Sequence, residues 1–185
     1  KPASFSEKLK EIDEEIKMDA DNQASEQKSQ NSEKPSTFQP TRVSPLSRER
    51  YLAAEEMAIG KISKEFDLAF RRNAVIDIGH FRGAIDAFAV KDEKGYAVEV
   101  KYVRFTASIS TVVKKALEKF KDYCFALSTD ARGKVEFRLV LVLDGQAADR
   151  KKFAIDRAER SCVGFPFKVK ISVYTYDELE RNLEH

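Results

Sequence analysis

The chain carries 33 Lys and Arg against 31 Asp and Glu over 185 residues, a net charge of +2, with 42% hydrophobic and 35% charged residues. That length suits one domain plus an extension, with enough apolar material for a core beneath a highly charged surface. No run nears the roughly 18–20 apolar residues that span a bilayer, no secretory signal is visible, and the near-balanced charge speaks neither for nor against a polyanionic partner.

Residues 1–44 contain no glycine and only two aromatics, Phe5 and Phe38, and are rich in Ser, Gln, Glu, Lys and Asn. Such a segment buries too little apolar area to offset its ordering entropy alone. Within it Phe5, Leu9, Ile12 and Ile16 follow a 4-3-4 spacing, which predicts a short amphipathic helix over about residues 5–18. Two readings stay open: a docking helix that pairs with a missing domain or with a second copy as a homodimer, and a transient helix in a linker. Residues 21–44 read as linker. The start at Lys1 reads as a fragment of a longer protein, leaving open a membrane tether upstream, and the ending Leu183-Glu184-His185 reads as a tag remnant.

The pattern changes near residue 45, and residues 45–182 read as a single α/β domain. Ser47 is placed to cap a helix running to about Phe66. Strands follow over about Asn73–Ile78, Ala84–Val90 and Tyr96–Val103, the last two joined by a loop from Lys91 to Gly95. A helix over Ser108–Cys124 places Val112, Val113, Ala116, Leu117, Phe120 and Cys124 on one side. The run from Leu139 to Leu143 marks Val135–Leu143 as a strand buried on both faces. A helix over Ala147–Arg160 and a strand over Phe167–Tyr174 complete the order α-β-β-β-α-β-α-β, a mixed sheet flanked by helices.

Polar residues in these apolar strands carry the functional signal. Asp86 is the one charged residue in Ala84–Val90 and needs a partner, a cation or water. Glu99 and Lys101 lie two apart on the next strand and share a face, away from Val98, Val100 and Tyr102. A turn centred near Glu93 sets Asp86 opposite residues 99–101, so two carboxylates and an ammonium converge. Hard divalent cations such as Mg²⁺ bind to one or two carboxylates plus water and substrate phosphate oxygens. On the first domain helix Glu55 falls within the face of Tyr51, Leu52, Ala58, Ile59, Ile62 and Phe66, whereas Glu56 is turned away.

Gly83-Ala84-Ile85-Asp86, twelve intervening residues and then Glu99-Val100-Lys101 resemble the PD-(D/E)XK nuclease signature. With the helix glutamate and the element order, residues 47–180 are similar to restriction-endonuclease-like cores, notably type IV restriction endonuclease catalytic domains and archaeal junction resolvases. The resemblance implies Asp86, Glu99 and the Val100 carbonyl as ligands of Mg²⁺ or Mn²⁺, Lys101 as the catalytic lysine, and Glu55 as the helix carboxylate and a further ligand. Ile85 stands where the name-giving proline would be. The implied activity is a Mg²⁺-dependent endonuclease hydrolysing phosphodiester bonds, in DNA; the alternative is a catalytically silent nuclease-like domain that binds nucleic acid or assembles a larger protein.

The remaining polar residues carry weaker signals. Arg82 and Arg104 are candidate phosphate contacts, and Lys114, Lys115, Lys119 and Lys121 have two open readings, contacts along a nucleic-acid backbone or the solvated face of their helix. His80 reads as a surface residue and Asp77 as a turn residue. Cys124 and Cys162 have no metal-ligand spacing and read as free thiols of a reducing, intracellular compartment such as the cytoplasm. There is no zinc spacing, P-loop or GxGxxG.

Overall fold

A computed structural model describes residues 5–28, 45–78 and 81–182. His80, residues 29–44 of the expected linker and the three C-terminal residues lie outside the described residues. Helix α1 (Phe5–Lys28) precedes α2 (Pro45–Phe66), strands β1 (Arg71–Ile78), β2 (Phe81–Lys91) and β3 (Lys94–Val103), and α3 (Ile109–Ala126). Then come α4 (Thr129–Arg132), β4 (Val135–Leu143), α5 (Gly145–Asp149), α6 (Lys151–Ser161), β5 (Val169–Thr175) and α7 (Tyr176–Arg181).

The strands form one sheet in the order β1-β2-β3-β4-β5. β1, β2 and β3 are antiparallel neighbours, and β3, β4 and β5 run parallel. This mixed sheet flanked by helices is the expected α/β class and is consistent with a restriction-endonuclease-like fold.

Each element follows from local chemistry. α2 begins at Pro45, whose missing N–H costs nothing in a first helical turn, so Ser47 lies inside the helix rather than capping it. The helix ends where Asp67 takes a left-handed backbone (φ 49°) and the Leu68 N–H donates to the Ser63 carbonyl at 3.1 Å. Tyr51, Ala54, Ala58 and Ile62 recur at helical spacing and pack on Val98, Val100, Tyr102, Val140 and Val142 of the sheet.

The opposite sheet face receives α3, through the six residues anticipated together with Ile109 and Tyr123. β2 and β3 are joined by a tight turn in which Asp92 and Glu93 both have positive φ (50° and 59°), so the strands reach further toward each other than the expected loop allowed.

Three helices differ from the expected ones. The helix expected over Ala147–Arg160 is broken near Arg150 into α5 and α6, and α5 starts earlier because the Asp144 carboxylate accepts from the Gly145 N–H at 2.8 Å. α7 went unanticipated although Thr175 and Glu178 form a capping box, the side chain of each accepting from the other's backbone N–H. The N-terminal helix runs to Lys28, so residues 21–28 are helix rather than linker. Ile12 is buried in the α2-side core and Ile16 packs against it, while Asp13 accepts two hydrogen bonds from Arg48, each at 2.6 Å.

Candidate active site

The site lies in a fork of the sheet. β2 and β3 pair from the turn as far as Ala87 and Val98, and there the ladder stops, while β2 remains paired with β1 to Phe81. Asp86 is the first β2 residue past the split. Its expected neighbours on β3 are at hand, but side chain replaces backbone in the pairing: the Val100 N–H donates to Asp86 Oδ2 at 2.8 Å. Across β2, Asn73 lies between the Arg72–Ala87 and Ala74–Ile85 pairs with a left-handed backbone (φ 46°), so the ladder is irregular at Asp86 on both sides.

β3 carries Glu99 and Lys101 on the face toward α3, alongside Ala97 and Val103. Asp86, Glu99 and Lys101 are all buried. Lys101 Nζ is 3.2 Å from Glu99 Oε1. From α3, Lys119 turns inward and donates to the same oxygen at 2.6 Å. Glu99 Oε2 is buried and finds no hydrogen-bond partner among the described residues. Glu55 lies on the buried side of α2 with 15% of its side chain exposed, whereas Glu56 points outward to Arg72. The helical phase that singled out Glu55 over Glu56 is the phase observed.

α1 completes the cluster. Lys8 Nζ pairs with Asp86 and lies 2.9 Å from Glu55 Oε2. Glu15 accepts from Lys101 at 2.5 Å, and Glu11 Oε1 lies 3.1 Å from Lys101 and 3.4 Å from Lys119. A cleft of about 160 Å³ opens here, lined in part by Glu11, Glu15, Glu99, Lys101, Lys115 and Lys119.

Burial and charge set the protonation states. Burial raises the Glu99 pKa above the ordinary carboxylate range, and Asp86 adds to the rise. Glu55 is pushed up to about 7, by burial first and then by Asp86. Burial works the same way on Asp86, but Lys8, Lys119 and Lys101 outweigh it and hold the carboxyl below its usual range. For Lys101 burial favours the neutral amine, yet Glu15, Glu99 and Glu11 keep the ammonium protonated far above its ordinary value.

The donor set suits a hard divalent cation in kind. Asp86, Glu99 and Glu55 offer only carboxylate oxygens, and one buried oxygen of Glu99 has no partner among the described residues. Among the described residues no three Asp, Glu, His or Cys side chains are gathered as a metal cluster; the Lys8 ammonium bridges Asp86 and Glu55 instead. The Val100 residue sits between Glu99 and Lys101 with its N–H committed to Asp86.

Of the expected phosphate contacts, Lys115 lines the cleft, while Arg82, Arg104 and Lys114 are exposed and are not among the side chains lining it. Asp77 is exposed on β1 opposite Arg82, in strand rather than turn. Lys8, Glu11 and Glu15 carry no site signal in the sequence, and Lys119 reads there as a phosphate contact or solvated lysine rather than as a partner of Glu99. Lys119 was legible in part, since it follows Ala116 and precedes Phe120 on the buried flank of α3. The three α1 residues share one helical face with Ile12, but no pattern in the sequence said where that face would dock.

No protein-family model matches this chain, and no curated protein matches it. Among solved structures, an XisH family protein from Nostoc punctiforme is similar over 69% of this chain and 94% of its own, at 20% identity and a TM-score of 0.47. A protein of unknown function, AF1548, is similar over 72% of this chain and 67% of its own, at 15% identity and a TM-score of 0.43. SfsA of Pyrococcus furiosus, in complex with Ca²⁺, is similar over 70% of this chain and 57% of its own, at 13% identity and a TM-score of 0.30.

Proposed function

We propose that this chain is a Mg²⁺- or Mn²⁺-dependent endonuclease that hydrolyses phosphodiester bonds in DNA. The observation that carries the reading is the fully buried Oε2 of Glu99, which has no partner among the described residues and lies beside Asp86 and Lys101. A buried polar atom left unsatisfied costs about 1–3 kcal/mol, more when charged. A cluster kept only for stability gains nothing from that cost, whereas an oxygen reserved for a cation does.

Asp86, Glu99 and Glu55 are the residues that would hold the ion, with the Val100 carbonyl as a further donor. When bound, a divalent cation supplies Lewis-acid neutralisation of the charge that develops on the phosphodiester during hydrolysis. The protein's own part is electrostatic and positional. Lys101, kept protonated by its carboxylate neighbours, acts as a fixed cation and hydrogen-bond donor rather than as a base. The Val100 N–H holds the Asp86 carboxylate in orientation, and Lys119 does the same for Glu99 Oε1. Lys115, at the cleft rim, is placed to meet a phosphate.

The test is cleavage of supercoiled plasmid and of labelled single-stranded DNA in Mg²⁺, Mn²⁺ or EDTA, comparing the wild type with Lys101→Ala. Metal-dependent cutting that EDTA and the substitution both abolish supports the enzyme. Absence of cutting on every substrate, by the wild type and by a variant with α1 released, leaves the domain as a binding or assembly module.

A further inference from the structure

The first helix engages the site charge for charge. Residues 8, 11, 12 and 15 are spaced i, i+3, i+4 and i+7, so they share one face of α1. On that face Lys8 meets Asp86 and Glu55, while Glu11 and Glu15 meet Lys101 and Lys119. Between them Ile12, 3% exposed, anchors the face in the α2-side core. Without α1 the site holds the carboxylates of Asp86, Glu55 and Glu99 and the ammoniums of Lys101 and Lys119; α1 brings an ammonium to the carboxylates and carboxylates to the ammoniums.

The match is in kind as well as in sign. An ammonium between two carboxylates occupies the place a cation would take, and carboxylate oxygens on two lysines occupy the place phosphate oxygens would take. A docking helix held only by shape would need neither. Outside the site Ile12 and the half-buried Ile16 pack against the α2-side core, and Asp13 pairs with Arg48.

We propose that α1 is an inhibitory plug built into the chain, with Lys8 standing in for the metal ion and Glu11 and Glu15 for the substrate phosphate, so that cation and nucleic acid bind only as α1 withdraws. The proposal rests on the metal-dependent phosphodiesterase reading above. Its consequence is a conformational tax: the affinity for a cation is lowered by the fraction of molecules with the helix withdrawn. For a minor open state of about 1–10%, the tax is about 10- to 100-fold.

The experiment uses the full chain as wild type, Lys8→Ala and Ile12→Asn. Ile12→Asn is the deciding variant, because it loosens α1 without touching a site carboxylate. Calorimetric titration with Mn²⁺ should show both variants binding about 10- to 100-fold more tightly than the wild type. Hydrogen exchange should show Mn²⁺ speeding exchange of the α1 amides in the wild type. Equal Mn²⁺ affinity in wild type and Ile12→Asn, or α1 exchange that Mn²⁺ leaves unchanged, overturns the plug. Tighter Mn²⁺ binding by the variants without plasmid cutting keeps the plug and overturns the nuclease; plasmid cutting at equal rates and equal Mn²⁺ affinity keeps the nuclease and overturns the plug. Mn²⁺ binding by none of the three overturns both.

Discussion

Glu99 and Glu136 sit on adjacent parallel strands and are both surrounded by cations, yet their surroundings have opposite characters. Glu136, on β4, receives Lys94 at 3.0 Å, Arg138 at 3.0 Å and Lys170 at 2.8 Å, and these contacts are spread over both of its oxygens. Burial opposes its ionisation, but those hydrogen bonds prevail and its pKa falls to about 2. Glu99 receives Lys119 and Lys101 on one oxygen, the other has no partner among the described residues, and burial together with Asp86 pushes its pKa up. One cluster is closed and stabilises its ionised state. The other is left incomplete in a fully buried place, where incompleteness is expensive.

The next strand shows that the fold does not need the charge. Glu99 and Lys101 are register partners of Leu139 and Leu141 on β4, which are fully buried and apolar. Leucine therefore serves on the adjacent strand of the same sheet. Replacing buried ionic groups by apolar ones of similar volume is often neutral or stabilising, so the charges on β3 answer to something other than stability.

The largest separation between the two glutamates should come from activity. Glu99→Gln is expected to lower metal-dependent plasmid cleavage by at least about 100-fold, the scale of losing one preorganised electrostatic group, with the melting temperature unchanged or raised. A substantial fall in melting temperature with activity intact would place Glu99 with Glu136 as a structural residue. Lys101→Met should also cost about 100-fold in cleavage rate. Its companion readout is Mn²⁺ affinity, which should fall far less than the rate if Lys101 stabilises the transition state rather than the ion.

A smaller effect, on stability alone, is expected at the closed cluster. Glu136→Gln should lower unfolding free energy at pH 7 by about 1–3 kcal/mol, the range for hydrogen bonds to charged groups, and leave cleavage unchanged. The sign with pH follows from its lowered pKa. The wild-type contribution is fully present above the ordinary value of 4.5 and is lost as pH falls toward about 2. Urea melts of the variant should therefore converge with those of the wild type in acid.

The effect at Glu55 runs the other way. Its pKa is raised to about 7, so the folded state holds a proton that the unfolded chain gives up near 4.5. Stability should decline as pH rises from about 4.5 to about 7 and then level off. Glu55→Gln should flatten that decline in urea melts taken across the same window. An unchanged slope would mean that the Lys8 ammonium fully compensates the Glu55 charge.

Much of this was legible beforehand because it depends on short-range periodicity. β4 reads as Val135–Leu143 from its unbroken apolar run, and those are its observed ends. The buried face of α3 follows from a 3.6-residue repeat, and the shared face of Glu99 and Lys101 from a two-residue one. Asp86 stood out because a carboxylate in an apolar strand needs a partner, and it has several. The capping box of α7, Thr175 with Glu178, is an equally local signal.

Composition and order along the chain were enough to determine the α/β class, the hairpin of β2 and β3, and the phase that turns Glu55 inward and Glu56 outward. Only the tertiary structure decided that the β2–β3 ladder stops at Ala87 and Val98, that Lys119 bends in to Glu99, and that Lys8, Glu11 and Glu15 of α1 dock on the site. The physical reason is range. Periodicity reports which face of one element is apolar, whereas the partner of a charged face is set by where another element comes to rest, with Lys8 meeting Asp86 across 78 positions of chain.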